Sequence, residues 1–176
     1  MIDLSKSGGI WILRLDRPEK ANSLTLEMLE RIAEVALEGV AARALIITGT
    51  GKVFSAGADL EAAKSGLATS DVWEKVSGAI ADLPCLTIAA LNGTLAGGAF
   101  GMALACDIRI AVPHAKFFYP VMKLGYLPQP SDPTRMAKII GPSRAKMVLM
   151  AGQKLSAEDA LVYGLIERIC QPEELM

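Results

Sequence analysis

Phe54-Ser55-Ala56-Gly57-Ala58-Asp59-Leu60 and Asn92-Gly93-Thr94-Leu95-Ala96-Gly97-Gly98-Ala99-Phe100-Gly101 are the two stretches that decide this sequence, the second running on to Ala105-Cys106-Asp107. Each follows an apolar run rich in strand formers, Ala44–Thr48 or Leu86–Leu91. Each then offers small residues, so that backbone N–H groups can lie bare beside a ligand. Asn92-Gly93 is a turn signal. Gly97-Gly98 predicts the start of a helix through Ala105, and the first N–H groups of a helix are unpaired and carry partial positive charge. Two N–H groups aimed at one point make an oxyanion hole, which stabilises charge developing on a carbonyl oxygen. The same small residues also suit close packing of a buried helix on a sheet, and the two uses are compatible.

Working outward, the strand-like runs are Ile10–Leu15, Ala44–Thr48, Leu86–Leu91, Ile108–Val112 and the shorter Lys116–Phe118. Helical spacing lies between them. Leu26, Leu29, Ile32, Ala33, Ala36 and Leu37 share a face behind Thr25 as cap, and Val72, Val76, Ala79, Ile80 and Leu83 share another that Pro84 ends. Asp132-Pro133 reads as an N-cap before a first-turn proline. Ser143 opens a helix that Gly152 closes, and Ser156-Ala157-Glu158-Asp159 reads as a capping box for one closed by Gly164. Strands alternating with helices predict an α/β fold with mostly parallel pairing. Continuously apolar runs fit strands buried on both faces. The expected organisation is a single domain, 1–176, with a core over 1–131 and a short helical tail over 132–176.

The bulk properties exclude several classes. The 176 residues suffice for one core, and 52% hydrophobic content with mean hydropathy +0.36 argues for order. A net charge of −1 gives no basic excess for nucleic acid and no polybasic membrane patch. Cys85, Cys106 and Cys170 are odd in number, widely spaced and form no CxxC pair, which suggests buried thiols in a reducing cytoplasm. With His114 the only histidine, no metal site is expected. The start, Met1-Ile2-Asp3-Leu4-Ser5-Lys6, reads as no signal peptide. Pro84 to Cys106 is 23 residues without a charge, long enough for a membrane span, but Asn92-Gly93 and the glycines after it favour a buried strand, turn and helix.

Together, in this order and each after a strand, the two decisive segments resemble the signature of the crotonase (enoyl-CoA hydratase/isomerase) superfamily. Leu15-Asp16-Arg17-Pro18-Glu19-Lys20-Ala21-Asn22-Ser23-Leu24 is similar to that family's first CoA-contacting loop. Cys106-Asp107-Ile108-Arg109-Ile110-Ala111, Leu124-Gly125-Tyr126-Leu127-Pro128 and the run from Ala151-Gly152 to Gly164-Leu165-Ile166 follow in family order, so the likeness extends from about residue 10 to the end. The resemblance implies a spiral core of repeated ββα units, with the family's C-terminal helical region shortened or absent. It implies oxyanion donors at the Ala58 and Gly98 N–H groups. It places adenine and pantetheine contacts at Lys20, Ala21, Ser23, Ala56, Asp59 and Leu60, and further substrate-binding positions at Thr94, Gly97, Gly101, Pro120 and Val121. Arg17, Lys20 and Lys64 are candidates for the CoA phosphates, and surface charge is an equal reading of each. No cofactor is implied beyond the CoA of the substrate. The expected partners are an acyl-CoA ligand and copies of the chain itself, as a trimer or dimer of trimers, with no nucleic acid and no membrane.

The sequence departs from the pattern at two positions. Where hydratases of this family carry two glutamates around the attacking water, this chain has Gly101 and Val121. General acid–base catalysis contributes about 10²- to 10⁴-fold, so standard hydration is not expected. Tyr119 and Tyr126 flank the second position and are the proton-donor candidates; Asp132 lies nearby, with a helix cap as its better-supported reading and catalysis as the lesser one, and His114 reads as a surface residue. The leading expectation is an enzyme, a lyase or isomerase, that stabilises a thioester enolate at Ala58 and Gly98. Isomerisation of a double bond and decarboxylation of a malonyl-type CoA are both open. The alternative is a non-catalytic acyl-CoA-binding or assembly protein.

Overall fold

The computed structural model describes residues 1–176. In chain order its elements are β1 (Ile2–Ser7), β2 (Ile10–Leu15), α1 (Leu26–Glu38), β3 (Ala44–Gly49), β4 (Val53–Ser55), α2 (Leu60–Lys64), α3 (Val72–Ala81), β5 (Leu86–Leu91), β6 (Thr94–Ala96), α4 (Phe100–Ala105), β7 (Ile108–Ala111), β8 (Lys116–Phe118), α5 (Asp132–Ile140), α6 (Pro142–Leu149), β9 (Leu155–Ser156), α7 (Ala157–Tyr163) and β10 (Arg168–Ile169). The fold is α/β, as the alternation predicts. A six-stranded sheet has the order β1-β2-β3-β5-β7-β10, and a four-stranded sheet the order β4-β6-β8-β9. Successive strand pairs β3–β4, β5–β6 and β7–β8 each put their first strand in the large sheet and their second in the small one. Pairing is parallel throughout except β1–β2 and β8–β9. This repeated step is the spiral of ββα units, and it stacks the loops after β4 and β6 side by side.

Local chemistry explains most boundaries. The Thr25 hydroxyl accepts from Met28 N–H and caps α1, as expected. The buried face of α1 is Met28, Leu29, Ile32, Val35 and Ala36, whereas Leu26 and Leu37 are exposed. Ser156 and Asp159 form the capping box of α7, and Gly164 ends that helix at φ +77. The stretch Pro84–Cys106 resolves into β5, β6 and α4, and no helix of the protein is long and apolar enough to cross a membrane.

Several expectations need correction. Strand β1 escapes sequence reading because four of its six residues are polar and exposed at a sheet edge, as is usual for an edge strand. The helix expected from Gly97 begins as a 3-10 turn, Gly97–Ala99, before α4. The tail 132–176 is not purely helical: β9 joins the small sheet and β10 the large one. Asp132 is not a cap. Ser131 holds the cap position, and the Asp132 side chain turns inward, fully buried.

Buried Arg109 ties the tail to the core. Its guanidinium donates to Leu165 O at 2.8 Å, Cys106 O at 2.7 Å and Glu167 Oε1 at 2.5 Å. Arg109→Leu strands those carbonyls without donors, each worth about 1–3 kcal/mol when buried. The expected loss is about 2–4 kcal/mol in urea unfolding, with no change expected in the loops of β4 and β6.

Candidate active site

The loop after β4 is held by a hydrogen-bonded clamp to the loop before α1. Asn22 is buried and left-handed at φ +51. Its side chain donates to Thr50 O at 2.9 Å and Val53 O at 2.7 Å, and accepts from Arg17 N–H at 2.8 Å. Ser55 Oγ donates to Asn22 O at 2.8 Å and accepts from Gly57 N–H at 3.2 Å. Ala56 N–H donates to Ala21 O at 3.0 Å. These bonds fix the approach of Gly57 to the neighbouring repeat.

At Gly57, φ is +90, and a Cβ there would lie 2.9 Å from Ala96 O and 3.5 Å from Gly98 N. Gly97 is also left-handed, at φ +56. Only glycine tolerates this combination of dihedral and backbone contact. The contact brings Ala58 and Gly98 to the wall of one cavity of about 140 Å³. Ala58 N–H has no backbone acceptor within the chain. Gly98 N–H lies in the first turn of its helix, where no intrahelical acceptor exists. The remaining wall is mostly apolar and includes Trp73, Val121, Leu124, Tyr126 and Leu127.

A second hollow shares Ala56, Ala58 and Leu60 with the first and adds Lys20, Ser23, Asp59 and Glu61. Of the residues expected from sequence, Lys20, Ser23, Ala56, Ala58, Asp59, Leu60, Gly97, Gly98, Pro120, Val121 and Tyr126 therefore line these two adjoining hollows. Ala21 contributes the carbonyl that holds Ala56. Thr94 opens β6 beside Val53 and lines neither hollow; Gly101 and Tyr119 lie behind the wall. Among the cation candidates, Arg17 is committed: its Nη1 donates to Asp59 Oδ2 at 2.8 Å and to Ser23 O and Oγ at 3.1 Å each. The Arg17 guanidinium, followed by the Ala62 N–H, holds the Asp59 carboxyl below the usual carboxylate range. Asp59 also caps α2. Exposed Lys64 pairs with Glu61. Lys20 alone of the three has no carboxylate partner.

Sequence reasoning missed Trp73, whose ring packs so closely on Gly98 that a Cβ there would be 3.1 Å away, while its Nε1 donates to Leu67 O at 2.7 Å. A tryptophan at a helical core position gives no signal of this use. It also missed a buried pair behind the cavity. Tyr119 Oη donates to Asp132 Oδ2 at 2.6 Å, accepts from Gln129 N–H at 3.3 Å, and its ring stacks on Phe100 at 5.4 Å. Asp132 Oδ1 has no partner. Burial pushes the Asp132 carboxyl up to about 7; the Tyr119 hydroxyl pulls the other way, Glu74 pushes it further up, and Arg135 lowers it. Burial, then the neighbouring Asp132, drives the Tyr119 phenol far above its ordinary range.

Known proteins share this architecture. The family model for enoyl-CoA hydratase/isomerase matches residues 5–176. A carnitinyl-CoA dehydratase of Salmonella arizonae is 38% identical over 181 residues, covering 98% of this chain and 69% of that protein. The carnitinyl-CoA dehydratase of Escherichia coli K12 is 37% identical over 183 residues, covering 99% and 70%. The crystal structure of enoyl-CoA hydratase from Bacillus anthracis superposes with a TM-score of 0.91 at 31% identity, covering 99% of this chain and 71% of that one. The chain belongs to the enoyl-CoA hydratase/isomerase family, and its fold is the crotonase fold.

Two predictions follow from this geometry. Gly57→Ala must leave the left-handed region or push against Ala96 O, so it should cost about 1–3 kcal/mol in urea unfolding; a neutral result would mean that the two loops are not in contact. Second, folded Asp132 keeps its proton to about pH 7, whereas unfolded it releases it near about 3.9. Between those values the folded state binds more protons, so this group's contribution to stability falls as pH rises from about 4 to 7 and is flat above. Asp132→Asn should remove that slope from chemical-denaturation curves taken across the window.

Proposed function

We propose that this chain binds acyl-CoA thioesters and stabilises the enolate oxygen of the bound acyl group with the Ala58 and Gly98 amides. The single observation that carries the reading is that both amides border one apolar cavity and that no backbone acceptor within the chain accounts for either. Losing one such donor typically costs about 3–4 kcal/mol in the transition state. The apolar wall of Trp73, Val121, Leu124 and Leu127 suits an acyl chain and a low local dielectric. The second hollow, with Lys20 free of an ion pair, suits the polar part of CoA. Relatives named for carnitinyl-CoA and enoyl-CoA agree with this ligand class.

The chemistry is enolate formation rather than standard hydration. Water addition by two carboxyls at Gly101 and Val121 is absent by composition. Isomerisation of a double bond and loss of CO₂ from a malonyl-type thioester both pass through the enolate, and neither requires two glutamates.

The test is thermal melting with crotonyl-, 3-butenoyl- and malonyl-CoA against free CoA, with turnover followed in the same samples. At 100 times the dissociation constant each thioester should add about 2.7 kcal/mol of stability. Crotonyl-CoA should hydrate poorly, while 3-butenoyl- or malonyl-CoA turns over. Ala58→Pro deletes a donor that makes no backbone bond in the fold, so turnover should drop by about 10²- to 10³-fold in variant protein that still melts cooperatively. Absence of stabilisation by any thioester would overturn the reading.

A further inference from the structure

The structure assigns the acid–base role of this site to Asp132, a single carboxyl delivered by α5 behind the oxyanion helix and held in place by Tyr119; the assignment rests on the acyl-CoA reading above. Its position is the first argument. A Cβ on Gly101 would lie 3.2 Å from Asp132 Oδ1 and 3.7 Å from Oδ2. Those are the distances from Cβ at which a glutamate side chain at 101 would carry its own carboxylate oxygens. The carboxyl missing from position 101 is thus supplied to the same neighbourhood by another element. The exchange is mutual, because a side chain at 101 would meet the Asp132 carboxylate, so the glycine makes the room that the aspartate fills.

Its satisfaction is the second argument. Oδ2 is fixed by Tyr119, but Oδ1 is fully buried with no partner. A buried carboxyl oxygen left unpaired is costly, and native proteins retain few such groups. The surrounding groups confirm that Oδ1 is not spent on structure. Glu74 of α3 takes the Ser131 N–H at 2.9 Å and the Ser131 Oγ at 2.5 Å instead, and the Ser77 hydroxyl bonds back to Glu74 O. Arg135 of α5 does not take Oδ1 either, and its own Nη1 is likewise buried without a partner.

Its relation to the cavity is the third argument. Gly98 borders the cavity and Gly101 follows three residues later, so the two lie on one side of the helix about one turn apart. Pro120 and Gln129, the residues next to and bonded to Tyr119, are themselves cavity wall. The Asp132 carboxyl itself lines neither hollow and lies behind this wall, so a thioester whose oxygen meets Gly98 would have to meet it past Gly101 with its α- and γ-carbons. In the step, the carboxylate takes the α-proton, and the C–H electron pair becomes the enolate double bond, with the carbonyl electrons moving onto the oxygen held by Ala58 and Gly98. For a β,γ-unsaturated thioester the proton returns from Asp132 to the γ-carbon as the carbonyl re-forms. No oxidant, water or second acid is needed. A carboxyl that burial raises to about 7 is able both to accept and to return that proton near neutral pH.

The experiment is conversion of 3-butenoyl-CoA to crotonyl-CoA by the full chain, by absorbance in water and by deuterium content in D₂O, from pH 5 to 9. The expected result is turnover that rises with pH with a midpoint near 7. Asp132→Asn should lose about 10²- to 10⁴-fold while its melting temperature still rises with the thioester. Tyr119→Phe removes the hydrogen bond that lowers Asp132, so its midpoint should move to higher pH; this readout stands even if the Asn variant does not fold. Wild-type turnover by Asp132→Asn, or unmoved midpoints in Tyr119→Phe, would overturn the assignment. Thioester binding by the wild type without any proton transfer would overturn it too, leaving the acyl-CoA reading intact; no thioester binding at all would overturn both.

Discussion

Everything at the site depends on one backbone-to-backbone contact, the approach of Gly57 to Ala96, Gly97 and Gly98. It joins the second strand of one repeat to the second strand of the next. Without a side chain at Gly57 the loops after β4 and β6 come within van der Waals distance, and two amides border one hollow. The rest of the molecule serves to hold that contact. The parallel ladders β3–β5 and β4–β6 set the spacing of the repeats. The Asn22 and Ser55 clamp fixes the loop from outside, and Trp73 backs Gly98 from within. On the proposed reading, donors held this rigidly need no reorganisation when charge develops on a bound carbonyl oxygen.

The polar groups divide into two sets. Arg17, Asp59 and Ser23 satisfy one another and build the floor of the groove, so the charged residues most visible beside the first motif are structural. The Tyr119–Asp132 pair lies on the opposite side, behind Gly101. One set is fully paired and partly open to solvent; the other is sealed and keeps one oxygen unpaired. On the proposed assignment, the first set is scaffold and the second carries the chemistry.

The sequence carried the fold where the signal is continuous. Apolar runs located β2, β3, β5 and β7, and caps such as Thr25 and Ser156 located helix starts, because these depend on neighbours in the chain. The three-residue β8 was legible as Lys116–Phe118, whereas β4, β6, β9 and β10 are too short for a period to register beside the loops and helices they adjoin. The two small-residue segments pointed to the amide pair, since only Gly and Ala permit the approach. The cap reading of Asp132 fails for a definite reason. Asp before Pro is a local capping pattern, but here Ser131 holds the cap position and the Asp132 side chain makes no capping bond. What turns the carboxyl inward is room at Gly101 and a hydroxyl at Tyr119, from two other elements. The absence of a side chain at 101 and the presence of one at 132 make sense only together, and nothing in the linear order pairs them.

The most direct test of the central claim is the carbonyl stretching frequency of a bound thioester, measured by difference infrared spectroscopy with ¹³C-labelled crotonyl-CoA. Two pre-aimed amides polarise the carbonyl, so binding should move the band to lower wavenumber, and the shift should shrink in Ala58→Pro. A thioester that binds in the groove with its carbonyl band where it lies in water would contradict the account, because the Ala58 and Gly98 amides would then not meet the oxygen.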